Sequence, residues 1–170
     1  MNEVIIKTLT RDRLSEYRNL RFEAIECEPN AFGIHLEEEK SFTNTEIIKI
    51  IFPDNGFDTI LYAEFDGKMV GMIRICKVKF FFRKPHARIR SFFVKQEFQG
   101  NGIGKLLLTS AKEYVNESSL SKKIDLGVVE TQKKAISMYE SFGFTTTWRG
   151  KTKRYYNGVR YNTRIMTLYL

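Results

Sequence analysis

The residues Phe92-Phe93-Val94 form a strand-like run that leads into Gly100-Asn101-Gly102-Ile103-Gly104-Lys105, and helical spacing begins just beyond. Glycines let backbone N–H groups converge without side chains between them. A helix N-terminus adds unpaired N–H groups and a partial positive charge. Strand, glycine-rich turn and helix start therefore make a cradle suited to an anion such as a pyrophosphate. The same residues also read as an ordinary strand-to-helix turn, and spacing alone does not separate the two. The glycines run G-x-G-x-G, not the G-x-G-x-x-G of dinucleotide folds, and no G-x-x-x-x-G-K-[ST] is present. Further on, Ile136, Tyr139 and Phe142 share helical spacing, which by itself makes Tyr139 a core aromatic. Cys27 and Cys76 stand in unrelated contexts, so neither a disulfide framework nor a zinc pattern is expected, and no metal.

Several elements must position these residues. Val4 to Thr8 reads as a strand. Arg11 to Glu26 carries Leu14, Tyr17, Leu20, Ala24 and Ile25 at helical spacing, with Thr10 or Asp12 as cap and Pro29 as stop. Asn30 to Gly33 reads as a loop, and a second helix is predicted from about Thr43 to Phe52, stopped by Pro53 and Asp54-Asn55-Gly56. Thr59 to Phe65 and Met69 to Val78 are strands joined by a hairpin at Asp66-Gly67. Phe80 to Pro85 reads as a connection and Ala87 to Val94 as a further strand. After the helix that follows Gly104 come a strand at Ile124 to Val129 and a helix at Lys133 to Ser141. Two last strands, Phe144 to Lys153 and Tyr161 to Leu170, join across Asn157-Gly158. The pattern predicts a mixed α/β domain with one large, partly antiparallel sheet, in which Ala87 to Val129 supplies a parallel pair.

The 170 residues fit one domain, 1–170, with no repeat and no linker. Hydrophobic residues at 42% and charged residues at 28% suit a soluble globular chain. No stretch approaches the ~20 apolar residues of a membrane span, and no signal peptide is evident at the N-terminus. A cytoplasmic protein with no membrane partner is the expectation. The net charge of +8 attracts anions and leaves nucleic acid, an acidic protein and a polyphosphorylated cofactor in competition. The basic residues are scattered, which weakens the nucleic-acid reading.

Two motifs go further. Gln99-x-x-Gly102-x-Gly104 resembles the [QR]-x-x-G-x-[GA] signature of the GNAT superfamily of N-acetyltransferases. Ala135-Ile136-Ser137-Met138-Tyr139-Glu140-Ser141-Phe142-Gly143-Phe144 is similar to that family's A-I-x-x-Y-x-x-x-G-F block, at the expected distance. Tyr17 to Arg21 and Pro29 to Gly33 also resemble bacterial members. The resemblance implies a mostly antiparallel central sheet with a splayed parallel pair at the coenzyme A site and helices on both faces. It implies acetyl-CoA as co-substrate, with the backbone of Phe92, Phe93 and Val94 on the pantetheine arm. Gln99, Gly100, Asn101, Gly102, Ile103, Gly104 and Lys105 would surround the pyrophosphate. Tyr139 would be the general acid, since a phenol suits protonation of a departing thiolate.

The chain departs from the family at two points. Gln132 stands where many members carry Asn against the cofactor. No general base is assigned: Arg88, Arg90 and Ser91 occupy one strand, and Gly127 stands where one subgroup that acetylates protein N-termini has Glu. Asp125 and Glu130 read as strand-end charges and His86 as a loop residue. In the family, the first two helices and the final hairpin frame the acceptor. Here they offer Glu26, Glu28, Glu37, Glu38 and Glu39, mostly read as solvated surface, and Trp148, Tyr155 and Tyr156 as walls. The expected partner is an amine acceptor, with nucleic acid not expected and a homodimer through the final strand left open. The alternatives are a coenzyme A-binding module without catalysis and a basic nucleic-acid-binding protein.

Overall fold

The computed structural model describes residues 3–80, 83–119, 121–151 and 157–170. Strand β1 (Ile5–Thr8) leads through a 3₁₀ turn (Arg11–Arg13) into α1 (Leu14–Cys27). Neither Thr10 nor Asp12 caps α1; Arg13 takes the N-cap position, and no side chain caps either segment. The 3₁₀ turn feeds its last residue straight into the helix, so the expected cap site lies one turn too early.

A short helix, α2 (Pro29–Phe32), ended by Gly33 at φ 61°, stands where a loop was expected, and a second, α3 (Leu36–Ser41), follows where no element was expected. Helices of four and six residues bury too narrow a stripe to show a period. The next helix, α4 (Asn44–Ile51), opens on a capping box in which Thr43 and Glu46 exchange backbone and side-chain bonds. The strands β2 (Thr59–Phe65), β3 (Lys68–Phe80) and β4 (Arg83–Val94) follow, then α5 (Ile103–Glu117), β5 (Lys123–Val129), α6 (Lys133–Phe142), β6 (Thr145–Lys151) and β7 (Asn162–Tyr169). β3 and β4 run longer than expected and absorb Phe80 and Arg83 to Pro85 from the predicted connection. Pro85 is tolerated because β5 pairs with β4 only from Ala87 onward.

The seven strands form one sheet in the order β1-β2-β3-β4-β5-β7-β6. Every neighbour pair is antiparallel except β4 and β5, which are parallel and pair only from Ala87 to Ile89 against Ile124 to Leu126. One face is covered by α5 and α6, through Leu107, Leu108, Ala111, Ile136 and Tyr139 against Ile73, Ile89, Leu126 and Met166. The other face carries α1 and α4, through Tyr17, Leu20, Ala24 and Ile47 against Ile60, Tyr62, Met72 and Phe93. The fold is thus the mixed sheet, with a parallel junction and helices on both faces, that the two motifs imply.

The register between β3 and β4 slips between Met72↔Phe93 and Arg74↔Arg90, and Ser91 there has φ 49°. This is a bulge with the extra residue on β4. It changes which face each side chain meets. Ile89 packs toward α5, and so do Phe92 and Val94, while Phe93 packs toward α1. Unbroken alternation would have put Ile89 and Phe93 on the same side.

Candidate active site

Beyond Ile89 and Leu126 the two parallel strands no longer pair, and a cleft of about 1220 Å³ opens between their C-terminal ends. Its walls include Phe92, Phe93 and Val94 of β4, Gly127 after Leu126 on β5, the start of α5, and Gln132, Met138 and Tyr139 around α6. Of the expected site residues, Gln99, Gly100, Gly102, Ile103, Gly104 and Lys105 also line it, while Asn101 does not.

The turn into α5 leaves its amides available. Leu106 N–H is taken by the Gly102 carbonyl at 3.0 Å, and the amides from Gly100 to Lys105 find no backbone acceptor among the described residues. Gly100 and Gly102 sit at φ 83° and 78°, a conformation L-residues with a Cβ rarely adopt. Gly104 is a glycine for another reason: a Cβ there would stand 3.0 Å from Met138 Sδ and 3.4 Å from Phe92 Cζ. It lets the first turn of α5 close onto α6 and β4. The side chains of Gln99 and Asn101 brace the turn. Gln99 Nε2 donates to the Val94 carbonyl at 3.0 Å, and Asn101 Nδ2 reaches the Phe98 carbonyl at 3.3 Å. A strand-to-helix turn with a run of free amides and an exposed Lys105 fits the diphosphate of acetyl-CoA.

Tyr139 is 6% exposed. Its ring lies between Phe92 and Phe144, with centroids at 5.9 and 5.8 Å. No described residue hydrogen-bonds its hydroxyl. Burial pushes its phenol well above the ordinary tyrosine range, so it stays protonated at neutral pH. Gln132 takes the N-cap position of α6 without capping it. Its Nε2 instead donates to Glu28 Oε2 at 3.4 Å, joining the mouth of the cleft to the end of α1.

On the α1 face, Arg21 makes a two-pronged contact with Glu39 at 2.5 and 2.9 Å and donates to Ser91 Oγ at 2.8 Å. Its guanidinium also lies over the Phe32 ring at 5.6 Å. The bulge is therefore pinned from α1. Glu39 is 3% exposed, so its expected place on a solvated surface is corrected: it neutralises Arg21. His86 is likewise not a loop residue. It is buried in β4, with Nε2 2.8 Å from Asp125 Oδ2, and Asp125 also accepts from Thr167 at 2.8 Å. Glu130 is held by Arg149 and Arg164. Trp148 is half exposed and does not line the cleft, and Tyr155 and Tyr156 lie outside the described residues.

Spacing alone did not find Ser91, Arg74 or the Arg21–Glu39 pair. One signal for Ser91 was present: Arg88-Ile89-Arg90 alternates, and the alternation breaks at Ser91-Phe92-Phe93-Val94. A broken period inside a strand is the mark of a bulge. The Arg21–Glu39 pair joins two helices through space and leaves no period to read.

A family model described as acetyltransferase (GNAT) family matches residues 17–144. An uncharacterised N-acetyltransferase of Archaeoglobus fulgidus is 33% identical over 110 residues, 61% of this chain and 74% of that protein. Among solved structures, a ribosomal-protein-alanine N-acetyltransferase from Brucella melitensis shares the fold at TM-score 0.81 and 21% identity, covering 98% of this chain and 99% of its own. A putative acetyltransferase from Salmonella typhimurium, solved with its cofactor acetyl-CoA, does so at TM-score 0.80 and 15% identity, covering 98% and 93%. The chain belongs to the acetyltransferase (GNAT) family. As a member of that family it is an acetyl-CoA-dependent N-acetyltransferase. No helix among the described residues is long and apolar enough to cross a membrane.

Proposed function

We propose that residues 1–170 act as one acetyltransferase domain that moves an acetyl group from acetyl-CoA to a primary amine by direct attack in a ternary complex. The amides of Gly100 to Lys105 hold the diphosphate, and Lys105 adds charge there. The backbone of Phe92 to Val94, freed from β5 by the splay, takes the pantetheine arm. The acceptor nitrogen attacks the thioester carbonyl carbon and the C–S bond breaks. The departing thiolate takes the Tyr139 proton, the amine's surplus proton passes to solvent, and solvent reprotonates Tyr139. Gln132, engaged with Glu28, braces the cleft mouth.

One observation carries this reading: turn amides and a tyrosine hydroxyl that have no hydrogen-bond partner among the described residues line the same cleft, where two parallel strands part. Calorimetric titration with acetyl-CoA, on the wild type and on Gly102→Glu, tests it. Binding by the wild type that the variant loses is the expected result, because a side chain at φ 78° disturbs the turn and its carboxylate repels the diphosphate. A wild type that binds no acetyl-CoA, or a variant that binds as tightly, would overturn the assignment.

A further inference from the structure

The α1 side of the cleft has a floor of arginines. Arg74 of β3 and Arg90 of β4 are direct cross-strand partners. Arg88 precedes Arg90 by two residues and so shares its face. All three line the cleft, together with Arg21. Like charges directly opposite one another on a sheet are destabilising, so a patch of this kind calls for a compensating anion.

The protein supplies only part of that compensation. Arg21 is matched by Glu39. Arg74 has Asp58 at 3.6 Å and donates to the Ile50 carbonyl. Arg88 has Asp125 at 3.9 Å, a carboxylate already shared with His86, Lys123 and Thr167. Arg90 has no carboxylate partner among the described residues. The Nε atoms of Arg74 and Arg88 are buried with no hydrogen-bond partner there. Burial lowers the Arg88 pKa, which an incoming anion would reverse. Among the described residues the one carboxylate lining the cleft is Glu28, and it is engaged by Gln132. Gly127 leaves the neighbouring floor open, with only Ile165 Cδ1 within 4 Å of where its Cβ would stand.

Resting on the acetyltransferase reading above, we propose that the acceptor is an amine that also carries a carboxylate, which Arg88 and Arg90 grip while its amine is presented at the splay. A guanidinium matches a carboxylate with two parallel hydrogen bonds. The same patch repels a polycation, so selectivity against polyamines is built into the floor.

The test compares matched acceptors by thiol release: L-glutamate against its diamide, an Asp-Asp-Ala peptide against its fully amidated Asn-Asn-Ala counterpart, and spermidine. The glutamate and peptide arms separate a free amino acid from an acidic chain terminus. The expected result is a preference of about tenfold or more for a carboxylated amine over its amide and over spermidine. Arg90→Gln is the chosen variant because Arg90 is exposed and its side chain holds no partner among the described residues, and its thermal melt checks folding. It should raise the KM of the preferred acceptor about tenfold and leave acetyl-CoA affinity by calorimetry unchanged. The inference is overturned by a preference for spermidine or the amides, or by an Arg90→Gln variant whose acceptor KM is unmoved. A loss of acetyl-CoA affinity in that variant overturns it too, since the arginine then serves the co-substrate. If acetyl-CoA binds but neither carboxylated acceptor is used, this inference falls and the acetyltransferase reading stands. If acetyl-CoA does not bind, both fall.

Discussion

Tyr139 packs as a core aromatic and opens onto the cleft at the same time. Its helical spacing with Ile136 and Phe142 reported only the first property. Nothing in a period of 3.6 says that the strand under it has parted from its neighbour. Tyr139→Phe keeps the ring between Phe92 and Phe144 and removes only the hydroxyl. Turnover should fall about a hundredfold or more, in the range of general acid catalysis, with acetyl-CoA affinity unchanged by calorimetry. Unaltered turnover would remove the acid role. The pH dependence of stability gives a second readout. Burial raises the folded pKa of Tyr139, so the fold favours the neutral phenol. Its contribution is complete below the unfolded tyrosine value of about 10 and is lost as pH rises beyond it. Denaturation midpoints taken from about pH 8 to pH 11 should therefore fall more steeply for the wild type than for Tyr139→Phe.

The hairpins and long helices were legible because their signals are local. Asp66-Gly67 turns β2 into β3 as Gly and Asp turns do, and Thr43 with Glu46 marks the start of α4. The two short helices α2 and α3 were not legible, and neither was the brace on the bulge, because Arg21, Glu39 and Ser91 come from three separate segments. That brace should matter for stability. Glu39 is buried and Arg21 largely so, with side-chain exposures of 4% and 18%. Glu39→Ala leaves Arg21 charged and unmatched against Ser91. The expected cost is about 3–5 kcal/mol, seen as a large drop in Tm or in the urea midpoint. Replacing both partners by apolar residues should restore much of it, because the isolated charge and not the lost attraction causes the loss. A Glu39→Ala protein that melts with the wild type would show Arg21 to be solvated, and the bulge would need another support.

At the level of the whole molecule, the sheet is two antiparallel halves, β1 to β4 and β5-β7-β6, joined by a short parallel ladder. The split opens the cleft at one end of the junction, so the other end must hold the halves together. There the two halves share a buried polar cluster. His86 comes from β4, Asp125 from β5 and Thr167 from β7, and the partly exposed Lys123 of β5 reaches Asp125 from outside. Arg88 approaches Asp125 from the β4 side. The charge total of +8 could not reveal this arrangement, since it counts charges and not their neighbours. Burial lowers the His86 pKa and outweighs the attraction of Asp125, so the fold favours the neutral imidazole. The unfolded chain then binds the extra proton below about pH 6.5, the ordinary histidine value. Stability from this group is full above that pH and is lost as the pH falls below it. Urea midpoints followed from about pH 7.5 to pH 5 should decline in the wild type, and His86→Gln should flatten that part of the decline. An identical decline in the variant would mean that the junction does not sense His86, and that its acid sensitivity comes from carboxylates elsewhere in the fold.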